Sequence, residues 1–552
     1  MAGQVSPGIV LRERDLTNSV AVASAANTAA IVGAFEKGPV GVITSISTEK
    51  QLLDTFGKPN NNNFEDWYVA ATFLSYGGQL QVVRVADTAL KNAVTEYDTQ
   101  NPNAPLITSF SDFEAQKGTT TFKFAARTAG TWGSSLKVST VDGSVTSLAY
   151  STATYHGSAK WSSLAPRPAD ADTCHVAVID EGGAITGTPG TLLETFLFAS
   201  RSTTAVNSEG ESNFYPNVVN RKSRYVYADE LVSAGDQDLS LDGGADSYQA
   251  STANLETALA KFDDVENINI DFILAGGSVT YGATPGDATK TKALKAISVA
   301  ANRKDCIAFV SPYRSFVSLS DPSAQKDAIL SFFSSLTSSS YAVFDSGYKY
   351  IYDRYNDVYR YIPCCGDVAG LCVQTSLTLE DWFSPAGLQR GNLRNAIKLA
   401  YTPSKTERDE LYQNRINPIT SFPGQGIVLF GDKTALGTPS AFDRINVRRL
   451  FLALERRVQS VAKTVLFELN DETTRGAFFA TVNAYMEEVK AKRGVTDFLV
   501  VCDDTNNTPD VIDRNEFVAE IYVKPARSIN YITITFVATK TGVSFAEVTG
   551  QV

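Results

Sequence analysis

The stretch from about residue 250 to residue 345 constrains the fold most. Ala253 to Phe262 has helical spacing, Ile268 to Ala275 is a buried strand closed by Gly276-Gly277, and Lys290 to Asn302 is helical again. Cys306 to Val310 repeats the buried strand and Ala324 to Leu336 the helix. Strands that are apolar on both faces, joined by glycine turns and helices, require a parallel sheet covered by helices. The N-terminal part has a similar texture. Ala29 to Gly33 reads as a short buried strand, Gly38-Pro39 as a turn, and Val40, Val42 and Ile43 as a resumed strand. Thr48 to Phe56 is a helix with Thr48 as its N-cap and Gly57 just past its end. A second helix over Glu65 to Tyr76 ends at Gly77-Gly78, and Leu80 to Val85 follows as a strand.

A chain of 552 residues is too long for one core and calls for roughly three or four domains at about 150 residues each. Between 100 and 250 the composition turns to Ser, Thr, Gly and Asp, with short strands such as Thr121 to Ala126 and Leu136 to Val141. Beyond 345 the patterning is strongest. Tyr348, Tyr350 and Tyr352 alternate, Asp353 to Asp357 turns, and Tyr359 and Tyr361 alternate again, which gives a hairpin with an aromatic face. Long helices are expected over Phe442 to Lys463 and Thr473 to Arg493, the second with Phe478, Val482, Tyr485, Met486 and Val489 on one face. Three strands should follow, at Phe498 to Cys502, Phe517 to Val523 and Tyr531 to Val537. In the last two, Phe517, Ala519, Ile521 and Val523 share one face, as do Ile532, Ile534 and Phe536.

Most chemistries are unsupported. A net charge of -11 argues against a general nucleic-acid binder, which needs a basic face for phosphates. Six cysteines without a C-x-x-C pair, and only His156 and His175 as histidines, make neither a disulfide framework nor a zinc site. Buried thiols in a reducing cytoplasm are the expectation. Neither histidine lies near a nucleophile elbow, and no phosphate-binding glycine motif is present, so no catalytic residue, cofactor or metal is assigned. Gly424-Gln425-Gly426 reads as a turn. Asp503 to Asp510 lacks the central glycine and terminal glutamate of a calcium loop and reads as a solvated connection. The N-terminus has no basic start leading into an apolar run, and Val20 to Phe35 is too interrupted to span a membrane. One charge pattern stays open. The helix from Phe442 to Lys463 carries six basic residues, Arg444, Arg448, Arg449, Arg456, Arg457 and Lys463, against Asp443 and Glu455. It is either a solvated face or a docking surface for an acidic partner, since its sign opposes that of the whole chain.

Several runs then occur in a telling order. Ser6-Pro-Gly-Ile-Val10, Ala30-Ile-Val-Gly-Ala-Phe-Glu-Lys-Gly-Pro-Val40, Phe56-Gly57, Tyr76-Gly-Gly78 and Val82-Val-Arg-Val85 lie at one end. Gly130-Thr-Trp-Gly133 lies in the middle. Trp382-Phe-Ser-Pro-Ala-Gly387, Asn414-Arg-Ile-Asn417, Gly426-Ile-Val-Leu-Phe-Gly431, Ile445-Asn-Val-Arg-Arg449 and Asn506-Asn-Thr-Pro-Asp-Val-Ile-Asp513 lie toward the other. In this order they resemble the sheath proteins of contractile phage tails and related injection machines. The resemblance covers roughly 1–87 and 345–552.

It implies a multidomain chain of α/β and α+β class: an inner α+β domain formed by both chain ends, with inserted α/β (subtilisin-like) and β-rich outer domains. The expected division is an arm over 1–18, an inner domain of 19–87 plus 351–552, an α/β insertion of 88–100 plus 250–350, and a β-rich insertion over 101–249. The resemblance further implies no enzymatic activity, and a self-assembling subunit with six copies per ring in a helical sheath around a tail tube protein. Baseplate and tail terminator proteins would be its other partners, with neither nucleic acid nor membrane bound. Assembly would take place in the host cytoplasm, and the product would be part of the virion tail. An arm carrying Val5, Ile9, Val10, Leu11, Arg12 and Arg14 would add a strand to a neighbour's sheet. That sheet would be the one carrying Phe517, Ala519, Ile521, Val523, Ile532, Ile534 and Phe536. Arg448, Arg449, Arg456 and Arg457 would face the tube. The rival readings are another self-assembling structural protein, such as a capsid or surface-layer subunit, and a serine hydrolase on the α/β domain.

Overall fold

The computed structural model describes residues 27–97, 104–117, 122–229, 234–280 and 284–530. These form two compact units. The first holds the described residues up to Asp381 together with Pro385–Arg456; the second holds Trp382–Ser384 and the described residues from Arg457 onward.

In the first unit, seven described strands make a mixed sheet in the order Ile416–Asn417, Ala342–Asp345, Ile307–Val310, Phe272–Leu274, Thr28–Gly33, Gln79–Arg84, Ile43–Ile46. Every neighbouring pair is parallel except the last, where Ile43–Ile46 runs antiparallel along the edge. The alternation of side chains sorts the apolar residues onto two faces. Ala29, Ile31, Val82, Leu274 and Phe309 pack with the helices Phe64–Ser75 and Cys365–Thr378. Ala30, Val32, Val83, Ile273 and Val310 pack with Thr252–Ala260, Pro285–Arg303 and Pro322–Ser334. The result is a three-layer α/β/α sandwich, and it explains why these strands are apolar throughout. On one side the two helices approach closely: a Cβ on Gly366 would sit 2.6 Å from the Val69 carbonyl oxygen.

A second seven-stranded sheet, wholly antiparallel, uses described strands from Val94–Thr95 to Gln237–Asp242. Its core includes Phe124, Trp132, Val138, Val176 and Phe214. The aromatic hairpin is present as Tyr348–Asp353 paired with Val358–Pro363, and Lys398–Leu399 adds a short third strand.

This strand pairing corrects the expected division. Residues 28–84 do not join the chain's C-terminal part in an inner domain separate from the α/β region; they supply three strands of the α/β sheet itself. The physical reason is that Ala29 to Val32 is fully buried and needs a strand on each side. Phe272–Leu274 and Gln79–Arg84 fill those places, and Asp271 accepts the Thr28 N–H at 2.9 Å to set the register.

The second unit is smaller. Its helix Glu472–Ala491 turns Phe478, Val482, Met486 and Val489 inward and packs on an antiparallel ribbon of Val495–Val501 with Glu520–Pro525. The helix Ile445–Val465 belongs to the first unit up to Arg456 and to the second from Arg457.

Candidate assembly surfaces

The arginines proposed to face a partner divide sharply. Arg448 is buried; its guanidinium lies over Tyr341 at 4.3 Å and Phe442 at 4.0 Å and donates to Ser340 Oγ at 2.6 Å. Burial holds its pKa below the usual guanidinium value. Arg449 is also buried and pairs with Asp381 at 2.8 Å while donating to Ser376 Oγ at 2.6 Å. Arg456 pairs with Asp271 at 2.5 Å. Arg457 is exposed, with its guanidinium 5.9 Å from the Tyr485 ring centre. The expectation of four outward arginines therefore fails for Arg448 and Arg449. The first turns of this helix are buried on several sides, so the guanidinium groups there are held in internal contacts, ionic for Arg449 and aromatic for Arg448.

The ribbon offers a different kind of surface. Among the described residues it has two strands, so each keeps one outer edge without a strand partner. The second strand begins at Glu520, later than the alternation predicted. Phe517 lies ahead of it and packs edge-on against Phe478 of the helix, with ring centres 5.2 Å apart. Ala519 is half-buried before the strand, while Ile521 and Val523 lie within it, paired with Val500 and Phe498. Ile532, Ile534 and Phe536 lie outside the described residues, as do Val5, Ile9, Val10, Leu11, Arg12 and Arg14.

One residue escaped the sequence reading. Asn507 lies in the run that reads as a solvated connection, yet it is buried, accepting the Val518 N–H at 2.8 Å and donating to the Val518 carbonyl at 2.8 Å. It clamps the approach to the second strand. Asn506 supports the same turn by accepting the Asp503 N–H and donating to the Val501 carbonyl. Trp382 of the W-x-x-P-A-G run donates its indole N–H to the Lys492 carbonyl at 3.1 Å, in a place where Gly494 leaves room for the ring.

The titratable groups are placed for structure. His175 is buried, with Nε2 2.9 Å from the Pro166 carbonyl and Nδ1 accepting the Phe198 N–H, and burial lowers its pKa. His156 lies against Gly190. All six cysteines are free and buried, and burial pushes the thiols of Cys365 and Cys372 up to about 12 and about 11. Such thiols are poor nucleophiles at neutral pH. Among the described residues no group of three His, Cys, Asp or Glu could hold a metal, and no helix is long and apolar enough to cross a membrane.

Comparison with known proteins gives these surfaces a context. Residues 248–435 match the phage tail sheath protein central domain and residues 438–539 the phage tail sheath C-terminal domain. The tail sheath protein of Vibrio phage KVP40 is 32% identical, with 99% of this chain and 100% of the relative covered. That of Enterobacteria phage T4 is 31% identical, with 99% of each covered. This chain belongs to the phage tail sheath protein family, as a structural, non-enzymatic subunit of a contractile tail and a component of the virion. The crystal structure of a sheath tail protein from Listeria innocua shares the fold at a TM-score of 0.54 and 11% identity, over 90% of this chain and 94% of the other. One from Desulfitobacterium hafniense gives 0.50 at 10% identity, over 94% and 100%.

Proposed function

We propose that copies of this chain polymerise as stacked six-membered rings around a tail tube, and that contraction of the stack drives the tube through the host envelope. The observation that carries this reading is the end-to-end similarity to sheath proteins, at 32% identity over 99% of the chain. Linkage between copies runs through the ends. The arm with Val5, Ile9, Val10, Leu11, Arg12 and Arg14 adds a strand to a neighbour's ribbon, whose open edges supply the unpaired backbone groups that strand addition needs. The α/β sandwich, in which residues 28–84 share one sheet with later strands, is subtilisin-like and serves as a scaffold, and the antiparallel sheet is an outer decoration. The tube-facing role falls to the later turns of the helix Ile445–Val465, where Arg457 and Lys463 are exposed. Baseplate and terminator proteins bound the stack at its two ends. Contraction is a downhill change between two packings of rigid subunits, so no nucleotide is consumed.

Negative-stain electron microscopy of the purified chain tests the assembly. Striated hollow tubes are expected, and other lattices or dispersed particles would sink the reading. Removing Met1 to Asn18 should leave a folded chain that forms no tubes. Tubes from that variant would show that the arm is not the linker.

A further inference from the structure

The turn between the two long helices presents an apolar tip. Leu466, Phe467 and Leu469 are 63%, 104% and 77% exposed, so Phe467 is as open to water as in an isolated peptide. Its backbone is left-handed, at φ 71°, a conformation costly for a bulky residue. The tip is also held firmly at its base. Asn470 donates to the Glu516 carbonyl at 2.8 Å and accepts from Arg475 at 2.9 Å, and Asp471 caps the following helix through the Thr474 N–H at 2.8 Å. Three exposed acids, Glu468, Asp471 and Glu472, surround the apolar side chains. Single exposed apolar residues are ordinary, but three of them within four positions on a pinned, strained turn mark a contact.

A second apolar surface, carrying a basic residue, lies on the aromatic hairpin. Tyr350 faces Tyr361 across the strands and Tyr352 faces Tyr359, with ring centres 4.6 and 5.2 Å apart. The intervening residues Lys349, Ile351 and Asp353 point into the core, so the tyrosines form the outer face, with Tyr352 and Tyr359 well exposed. Lys398 lies over this ladder, with its ammonium 4.7 Å from the Tyr350 ring centre, next to exposed Ile397. Residues 382–406 contain four basic residues, Arg390, Arg394, Lys398 and Lys405, and no acid, within a chain whose net charge is -11.

We infer that the acidic apolar tip around Phe467 docks on the tyrosine and Lys398 face of a second copy of this chain. The inference rests on the assembly reading above and names one contact within it. The two surfaces share apolar character and meet in sign at the Lys398 end of the ladder, away from Asp357, which accepts from the Tyr352 hydroxyl at 2.7 Å at the turn end; they differ from each other. A contact between unlike patches on identical chains propagates from copy to copy instead of closing into a dimer, which is the type a polymer needs. Phe467 serves as the anchor, with Glu468 opposite Lys398.

The test measures the protein concentration at which the full chain begins to form tubes. Phe467→Gly should raise it by about tenfold or more, because a central aromatic anchor is lost. Its urea unfolding midpoint should be unchanged or raised, since glycine adopts a left-handed backbone freely. Glu468→Lys and Lys398→Glu should each impair polymerisation, and the two together should restore it to within about threefold of the wild type. Wild-type tubes alongside normal Phe467→Gly tubes would overturn this contact alone, as would a double swap no better than either single change. If Phe467→Gly polymerises normally but no longer binds tail tube protein, the tip belongs to the tube interface and the contact between copies is wrong. Failure of the wild-type chain to form any tube would overturn the assembly reading together with this contact.

Discussion

Asp345 ends the strand Ala342–Asp345, the second strand from one edge of the α/β sheet, and is buried with no cation paired to it among the described residues. Its carboxylate accepts the Gly347 N–H at 3.0 Å and the Ser311 hydroxyl at 2.7 Å. Burial outweighs these bonds, and the nearby Asp367 adds to it, so the pKa is pushed from 3.8 up to about 7. The linkage has a definite sign. Below about pH 4 the acid is protonated in both folded and unfolded chains and has no pH-dependent effect. As pH rises from about 4 to about 7 the unfolded chain releases its proton and the folded one resists, so stability falls. A carboxyl displaced this far, at 1.36 kcal/mol per pH unit, costs on the order of 4 kcal/mol at pH 8. Asp345→Asn removes the ionisation and keeps the shape. The amide can donate to Ser311 Oγ as the protonated acid does, while its oxygen accepts from Gly347. The variant should match the wild type at pH 4.5 to within about 1 kcal/mol and exceed it at pH 8 by roughly 2–4 kcal/mol, the lower figure allowing for an imperfect amide bond. Urea unfolding of the unassembled chain at the two pH values, with hydrogen exchange at the Ala342–Asp345 amides as a local reporter, measures both. A variant less stable than the wild type at pH 8, or one whose advantage does not shrink on acidification, would refute the argument.

The remaining predictions concern packing and pairing. Gly366→Ala puts a methyl group 2.6 Å from the Val69 carbonyl, between two helices that both lie in the core, and should cost about 1–3 kcal/mol by thermal or chemical unfolding. Arg449→Ala leaves Asp381 without its cation and opens a void beside the sheet; a loss of about 2–3 kcal/mol is expected, whereas an effect below about 0.5 kcal/mol would mean the pair is ornamental. His175 should titrate by NMR below the ordinary imidazole value of 6.5, and stability should decline as pH falls through 6.5 toward its lowered folded value. Titration of His175 near 6.5 would contradict its burial.

The local alphabet of this fold was legible in the sequence. Thr48, an N-cap by residue type and position, accepts the Gln51 N–H, and the Gly276-Gly277 punctuation after an apolar run follows the end of a parallel strand. Partners distant in the chain were not legible. Nothing in Thr28–Gly33 says that it pairs with Phe272–Leu274, because a strand apolar on both faces fits between any two others of the same kind. The arginines show a second limit. Counting charges along Ile445–Val465 identifies a basic helix but not which of its turns are enclosed, and the stems of Arg448 and Arg449 lie on apolar surface as easily as in water. Asn507 is the third case: the letters of a polar turn are the same whether they meet solvent or clamp a neighbouring backbone.

The two units differ in how much of their stability is their own. The α/β sandwich has strands enclosed on both faces and buried ionic links, such as Lys349 with Asp367 at 2.9 Å, that hold its core without a neighbour. The second unit rests one helix face on a ribbon that, among the described residues, has only two strands. A two-stranded ribbon is marginal alone and gains by each strand added to it. In a sheath subunit this asymmetry has a mechanical meaning. The proposed change of packing between copies would require bodies that do not deform and joints whose order depends on being joined. The self-sufficient sandwich suits the first role. The small unit, with its open edges and its strained Phe467 tip, suits the second.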